Sequence, residues 1–267
     1  MNELPFLKEN GEKEQLPAGS EHNAEESHRV ENGDGGIEQE EPSSQQSGEA
    51  TNELALEAAY FNDIKVVDGR KVIQNPANVL ALVNKEFALP GTYKPADLTR
   101  PKVAFSFGEE KVEKSLMRKE AAAALERMFA EAKKDGVILY AASGYRSYQR
   151  QKEVLQAEIS RVGKEKAVQA VAIPGNSEHQ SGLAMDITSQ SEKFLLTEHF
   201  GLVKEGIWLR ENAHKFGFIL RYPKDKEDVT LYEYEPWHFR YVGEKVAAVI
   251  YKHKWTLEEY LEQAEKI

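Results

Sequence analysis

The sequence predicts an α+β domain, a small antiparallel sheet flanked by helices, carried behind an acidic N-terminal tail. Three observations predict it. Helical and strand patterns alternate without a repeating strand–helix–strand unit, which argues against a parallel sheet. Short apolar or alternating runs bounded by turn residues recur only after residue 58. The charge is also divided. Residues 1–57 hold fifteen Asp/Glu against three Lys/Arg, and the remainder holds thirty against thirty-two, so the net charge of -10 belongs to the tail.

The tail is rich in Glu, Gln, Ser and Gly, with NGDGG at 32–36 and EEPSSQQSG at 40–48. Bulky apolar residues are scarce after Leu7, so the segment cannot bury enough surface to offset its ordering entropy. Residues 1–57 are therefore read as a disordered acidic linker or tether, and 58–267 as one folded domain. Within the domain, residues 64–76 predict two strands joined by Asp68-Gly69, a favoured hairpin turn. A short helix is expected over 75–87. Residues 89–103, with three prolines and a glycine, predict a long ordered loop. Apolar spacing through Leu116, Leu125 and Phe129 predicts a helix over 113–135, stopped by Asp135-Gly136. Residues 137–143 read as a buried strand. Helices are expected from Ser147 or Tyr148 to Val162 and over 164–172, then a strand over 183–188 and a helix over 202–216 capped by Gly217. Strands are expected over 218–222 and 237–242. Two amphipathic helices over 243–266 should meet near Trp255-Thr256.

Composition excludes several functions. Cysteine is absent, which removes disulfides, thiolate nucleophiles and Cys-ligated metals. An acidic protein without clustered basic charge is not expected to bind nucleic acid. There is no run of eighteen apolar residues, so no transmembrane segment is expected, and MNELPFLKEN lacks the pattern of a signal peptide.

Any metal must then be held by His and carboxylate. Of seven histidines, His22 and His28 lie in the tail, and His199, His214 and His253 fall in helical patterns typical of surface or packing residues. His179 lies in the loop NSEHQSG before a strand, and His238 begins a strand behind Glu-Pro-Trp. Asp186 sits mid-strand in LAMDIT, on the face opposite Leu183, Met185 and Ile187 and beside small Ala184. On this segment alone Asp186 could equally face solvent. Two His and one carboxylate leave an open position on a tetrahedral zinc. Such a site needs a base for the attacking water, and Glu235, three residues before His238, is a candidate. A strict strand would place Glu235 and His238 on opposite faces, but Pro236 argues for an irregular strand there.

Together these segments form a more specific pattern. Residues 177–186, SEHQSGLAMD, match S-x-H-x-x-G-x-A-x-D, Glu235-Pro236-Trp237-His238 follows about fifty residues later, and Ser143-Gly144-Tyr145-Arg146-Ser147 with Gln151 precedes both. This order resembles the VanY-type D-alanyl-D-alanine carboxypeptidases and their LdcB, L,D-carboxypeptidase, branch. The resemblance is strong over about 115–242. It implies a Hedgehog/D,D-peptidase-like fold and one zinc per chain, held by His179, Asp186 and His238. It further implies Glu235 as general base, Arg146 as the group facing the substrate carbonyl and its oxyanion, and Gln151 and Ser177 in the substrate pocket. No motif position is visibly broken. Tyr145 and Trp237 are candidates to border the substrate; Tyr145 is equally readable as a packing residue, and Trp237 reads more readily as one, packed beside the metal strand.

The expected function is thus a zinc metallocarboxypeptidase that removes the terminal D-alanine from peptidoglycan stem peptides, acting as a monomer. The L,D reaction on tetrapeptides is favoured by the lengths of the SGYRSYQRQ and EPWHFRYV segments. D,D cleavage of pentapeptides and a non-catalytic, zinc-bearing cell-wall binding module are the alternatives. A cell-wall substrate implies action outside the cytoplasmic membrane, with a signal or anchor not visible in this chain.

Overall fold

The computed structural model describes residues 52–267, so most of the expected acidic linker lies outside the described residues. In chain order the strands and helices are β1 (Ala55–Leu56), β2 (Ile64–Val67), β3 (Arg70–Ile73), β4 (Phe87–Ala88), β5 (Leu98–Thr99), β6 (Met117–Arg118), α1 (Lys119–Lys134), β7 (Tyr140–Ser143), α2 (Tyr148–Val162) and α3 (Lys164–Ala170). There follow β8 (Ala184–Thr188), α4 (Lys204–Asn212), β9 (Phe218–Leu220), α5 (Glu227–Thr230), β10 (His238–Tyr241), α6 (Glu244–His253), α7 (Leu257–Gln263) and β11 (Glu265–Lys266). The α+β class and the antiparallel central sheet are as the sequence predicts.

That sheet has the order β7-β8-β10-β9, and each neighbouring pair is antiparallel. Its two faces differ sharply. Met185 of β8 lies opposite Phe239 of β10, and this face joins Leu183, Ile187 and Phe218 in the main core. The helix α1 covers it with Ala121, Ala122, Leu125 and Met128, whose small and large side chains let the helix approach closely. On the other face, by the period of two, lie Asp186, His238, Arg240 and Arg221.

The flanks complete the domain. The hairpin β2–β3 turns at Asp68-Gly69 as expected, and both residues take positive φ. β1 pairs in parallel with β11, so pairing begins ahead of the expected boundary at 57/58. Leu56 packs with Val246, Ile250, Leu257 and Tyr260. The final two helices meet at Trp255-Thr256 as expected, because Thr256 and Glu259 form a capping box that starts α7.

Three expectations need correction. Residues 75–87 form no helix. Asn78 Oδ1 accepts from Leu80 N at 2.8 Å, and Asn84 Oδ1 accepts from Glu86 N at 2.9 Å, so the asparagines take the amides that a helix would use. The helix expected over 113–135 begins at Lys119. Its first turn is replaced because the carbonyls of Lys114 and Leu116 accept from Gly144 N (2.7 Å) and Tyr145 N (2.6 Å), tying the segment to the end of β7. The helix expected over 202–216 is broken, with 3-10 turns at Glu198–Leu202 and Ala213–Phe216 on either side of α4.

Candidate metal centre and active site

The three sequence motifs converge because they occupy neighbouring strands. SGYRS ends β7, the histidine–aspartate motif runs into β8, and EPWH leads into β10. Register then sets the site: His238 lies opposite Asp186, and Ser143 pairs with Asp186 from the other side, after an irregularity in β7 between Ala141 and Ser143. His179 reaches the same place from a 3-10 turn, Glu178–Ser181, that crosses the polar face of the sheet. Gly182 closes the turn at φ +69°, and Ser181 Oγ donates to Glu178 O at 2.5 Å.

His179, Asp186 and His238 are all buried, and one ligand atom from each lies within 4.8 Å of the others. His179 Nε2 is 3.4 Å from Asp186 Oδ2, and His238 Nδ1 is 3.2 Å from Asp186 Oδ1. Asp186 is therefore not the solvent-facing residue that its segment alone allowed. Its Oδ1 is buried without a hydrogen bond. An orphaned oxygen on a buried carboxylate, flanked by one imidazole nitrogen at each of its two oxygens, is costly unless a cation satisfies it, so the donor set fits a divalent metal with nitrogen and oxygen ligands.

The two rings are held differently. His179 Nδ1 is 2.7 Å from the carbonyl of Gly144. Gly144 is required there, since a Cβ would overlap the Leu116 carbonyl and the Met185 methyl group. His238 Nε2 is 3.3 Å from Glu178 Oε2. Burial, aided by nearby Arg146 and His238, pushes His179 down to about 3, against the pull of Asp186. Burial also acts to lower His238, but its contacts with Asp186 and Glu178 outweigh that and raise it to about 9.

Glu235 lies just before β10 and approaches the site, with Oε2 3.7 Å from His238 Nδ1. The chain turns there, with His238 N donating to Glu235 O at 3.1 Å, so the irregularity expected from Pro236 brings the pair together. Burial, with Asp186 adding repulsion, raises the Glu235 carboxyl to about 7 against the influence of His238 and Arg146. Arg146 donates from Nη1 to Gln151 Oε1 at 3.0 Å and from Nη2 to Ser143 Oγ at 3.3 Å. Gln151 is buried and also donates to Ala172 O at 2.6 Å, so its amide fixes the guanidinium. Ser177 is buried at the start of the 3-10 turn, Tyr145 is buried beside Arg146, and Trp237 belongs to the main core. The remaining described histidines have other partners. His199 meets Glu192, His214 stacks on Tyr251, and His253 stacks on Trp255. His22 and His28 lie outside the described residues.

Sequence reasoning passed over a charged cluster beneath His238. Glu178, Arg221 and Arg240 have fully buried side chains. Glu178 Oε1 accepts from Arg221 Nε at 2.8 Å and Arg240 Nη1 at 2.7 Å. Burial would raise the Glu178 carboxyl, but the two guanidiniums overcome it and hold the group well below the usual carboxylate range. The available signal was an Arg inside each of two apolar strand runs, FILRY and HFRY. A buried Arg needs a carboxylate.

Comparison with known proteins places this geometry. Residues 114–244 match the model of the VanY family, D-alanyl-D-alanine carboxypeptidase. The putative carboxypeptidase YodJ of Bacillus subtilis (strain 168) is 58% identical over 230 residues, 86% of this chain and 84% of that protein. Among solved structures, the LdcB LD-carboxypeptidase is 60% identical with a TM-score of 0.78, covering 80% of this chain and all of that one. A vancomycin-resistance D,D-pentapeptidase VanY in complex with Zn(II) is 36% identical with a TM-score of 0.56, over 68% of this chain and 98% of that one. The convergence of the three motifs on one buried donor set and the identity along most of the chain agree, and the chain belongs to the VanY family of carboxypeptidases.

Proposed function

We propose that this protein is a zinc carboxypeptidase that removes the terminal D-alanine from peptidoglycan stem peptides outside the cytoplasmic membrane, preferring the L,D bond of tetrapeptides. The observation that carries the chemistry is the buried set of His179, Asp186 and His238 with Glu235 beside it. Support for the L,D preference comes from the greater similarity to the LdcB structure, 60% identical, than to the VanY D,D-pentapeptidase, 36% identical. We assign the activity to residues 58–267 and a linker role to the acidic stretch before them.

His179, Asp186 and His238 would hold the zinc, which when bound would supply a Lewis acid to polarise the scissile carbonyl and acidify water. The chain's own residues do the rest. Glu235, with its carboxyl raised to about 7, is suited to accept a proton from the attacking water near neutral pH and return it to the leaving amine. Arg146 presents a permanent positive charge, steadied by Gln151 and Ser143, toward the oxygen that gains charge as the carbonyl is attacked. Ser177, Gln151, Tyr145 and Trp237 are assigned to the borders of the substrate pocket, Trp237 from its place in the main core.

Incubation of the zinc-loaded protein with defined muropeptide tetrapeptides and pentapeptides, with products weighed by mass spectrometry, tests the assignment. Loss of one D-alanine from tetrapeptides at the higher kcat/KM is the expected result. Preferential trimming of pentapeptides would assign the D,D reaction instead, and no product from either would leave a binding module.

A further inference from the structure

Glu178 is buried directly before His179 in the sequence, yet its carboxylate serves the other histidine. The two nitrogens of His238 face different partners. Nε2 faces Glu178 Oε2 at 3.3 Å, while Nδ1 faces Asp186 Oδ1 at 3.2 Å and Glu235 Oε2 at 3.7 Å. We propose that Glu178 is a positioning residue for the zinc ligand His238: it accepts the Nε2–H and so leaves the Nδ1 lone pair aimed at the metal. The inference rests on the assignment of His238 as a zinc ligand.

Proton and charge placement carry this role. A neutral imidazole carries one N–H, and its position is set by the acceptor it meets. Both ring nitrogens face carboxylates, but Asp186 on the Nδ1 side belongs to the same proposed donor set as His238, so with a metal there the N–H lies on the side of Glu178, which accepts only. The carboxylate itself is fixed. Arg240, two residues after His238 on the same face of β10, donates to Glu178 and also, from Nη2, to Val79 O (3.0 Å) and Ala81 O (2.9 Å). Arg221 donates to Glu178 and also to both carboxylate oxygens of Glu258 in α7, at 2.8 and 2.6 Å. Two carboxylates and two guanidiniums balance, so the buried cluster is neutral overall and holds the Glu178 carboxylate in place. Val79, Ala81 and Glu258 all lie outside residues 114–244, the span matched by the family model. The segments flanking the family core thus hold one of its metal ligands through Glu178.

The test uses the full chain labelled with 15N-histidine and loaded with zinc, and reads the ring nitrogens by NMR. Zinc on Nδ1 of His238 with a slowly exchanging proton on Nε2 is expected. Zinc on Nε2, or an Nε2 without a proton, overturns the positioning role and leaves the zinc site standing. No zinc-dependent shift at either His179 or His238 overturns the zinc assignment and this role with it. In parallel, Glu178→Gln should weaken zinc binding ~10–100-fold in a chelator competition, the range for such supporting partners. A variant that melts earlier but binds zinc as the parent does would make Glu178 purely structural and overturn the proposal. If Glu178→Gln does not fold, the NMR measurement on the unmodified protein decides alone.

Discussion

His179 and His238 sit on opposite sides of one carboxylate, both buried, yet they are anchored by different kinds of structure. His179 is held from behind by a main-chain carbonyl, that of Gly144, at 2.7 Å. His238 is held by a side-chain carboxylate that belongs to a four-residue charged cluster. The first anchor depends on backbone path, and an added Cβ at Gly144 would disturb it. The second depends on four ionisable side chains contributed by β10, the end of β9, the 3-10 turn and α7. In the metal-free protein burial, aided by Arg146 and His238, leaves His179 neutral, at about 3, whereas the contacts of His238 with Asp186 and Glu178 overcome its burial and keep it protonated up to about 9. Of the two proposed ligands, His179 is thus ready for a metal at neutral pH, and His238 must surrender a proton first.

The largest expected effect separates both anchors from the chemistry they support. Glu235→Ala should lower kcat by ~100–10,000-fold, the usual contribution of a general base, while the protein still binds one zinc. Retention of near-normal kcat would remove Glu235 from the mechanism. Loss of zinc would make it a further ligand rather than the base.

Next in size is the pH dependence of metal-free stability, where the two histidines act in opposite directions. For His238 the folded value, about 9, lies above the unfolded value near 6.5, so its contribution is complete below about 6.5 and is lost as pH rises through about 9. For His179 the folded value, about 3, lies below the unfolded one, so its contribution is complete above about 6.5 and is lost as pH falls toward 3. Glu235, raised to about 7, also favours the folded state less as pH rises from about 4.5 to 7. Melting of the chelator-treated protein should therefore fall between pH 6.5 and 9 by an amount equivalent to a few kcal/mol at most. Zinc-loaded protein, in which both rings are neutral, should lack that alkaline loss. Identical profiles with and without zinc would contradict the contrast between the rings.

A smaller effect addresses the backbone anchor. Gly144→Ala must shift residue 144 away from both the Leu116 carbonyl and the Met185 methyl group, at about 1–3 kcal/mol for an overpacked site, read from denaturant unfolding. Because the same displacement moves the carbonyl behind His179, zinc affinity should fall with it. Unchanged affinity would show that His179 does not need that bond. The smallest effect is a control. His199 also meets a carboxylate, Glu192 at 2.8 Å, but with its side chain 66% exposed. His199→Ala should change stability by about 0.5 kcal/mol or less, because water screens such a pair.

The proposed ligand set, base and Arg146 are legible in the sequence through its resemblance to the VanY-type motifs, which picks out His179, Asp186, His238 and Glu235 among seven histidines and forty-five acidic residues. The strands that carry them are legible too, since period-two alternation in LAMDIT and the run WHFRYV report sheet faces directly. The misreadings come from local competitions that periodicity cannot register. The asparagines at 78 and 84 hydrogen-bond to nearby amides and remove a helix that the apolar spacing of 75–87 permits. Lys114 and Leu116 give their carbonyls to the Gly144 loop and delay α1.

Composition and pattern alone set the chemistry: the residue types, their order, the acidic segment and the absence of thiols can all be read along the chain. Which atoms meet is set in three dimensions. Register between β8 and β10 puts His238 opposite Asp186. Burial of the polar face turns a mid-strand Asp from a solvent residue into a carboxylate with an unsatisfied buried oxygen. Glu178, adjacent to His179 in the chain, becomes the partner of His238, sixty residues away. Pattern constrains neighbours along one element, whereas hydrogen bonds and desolvation are settled between elements, where sequence distance carries no information.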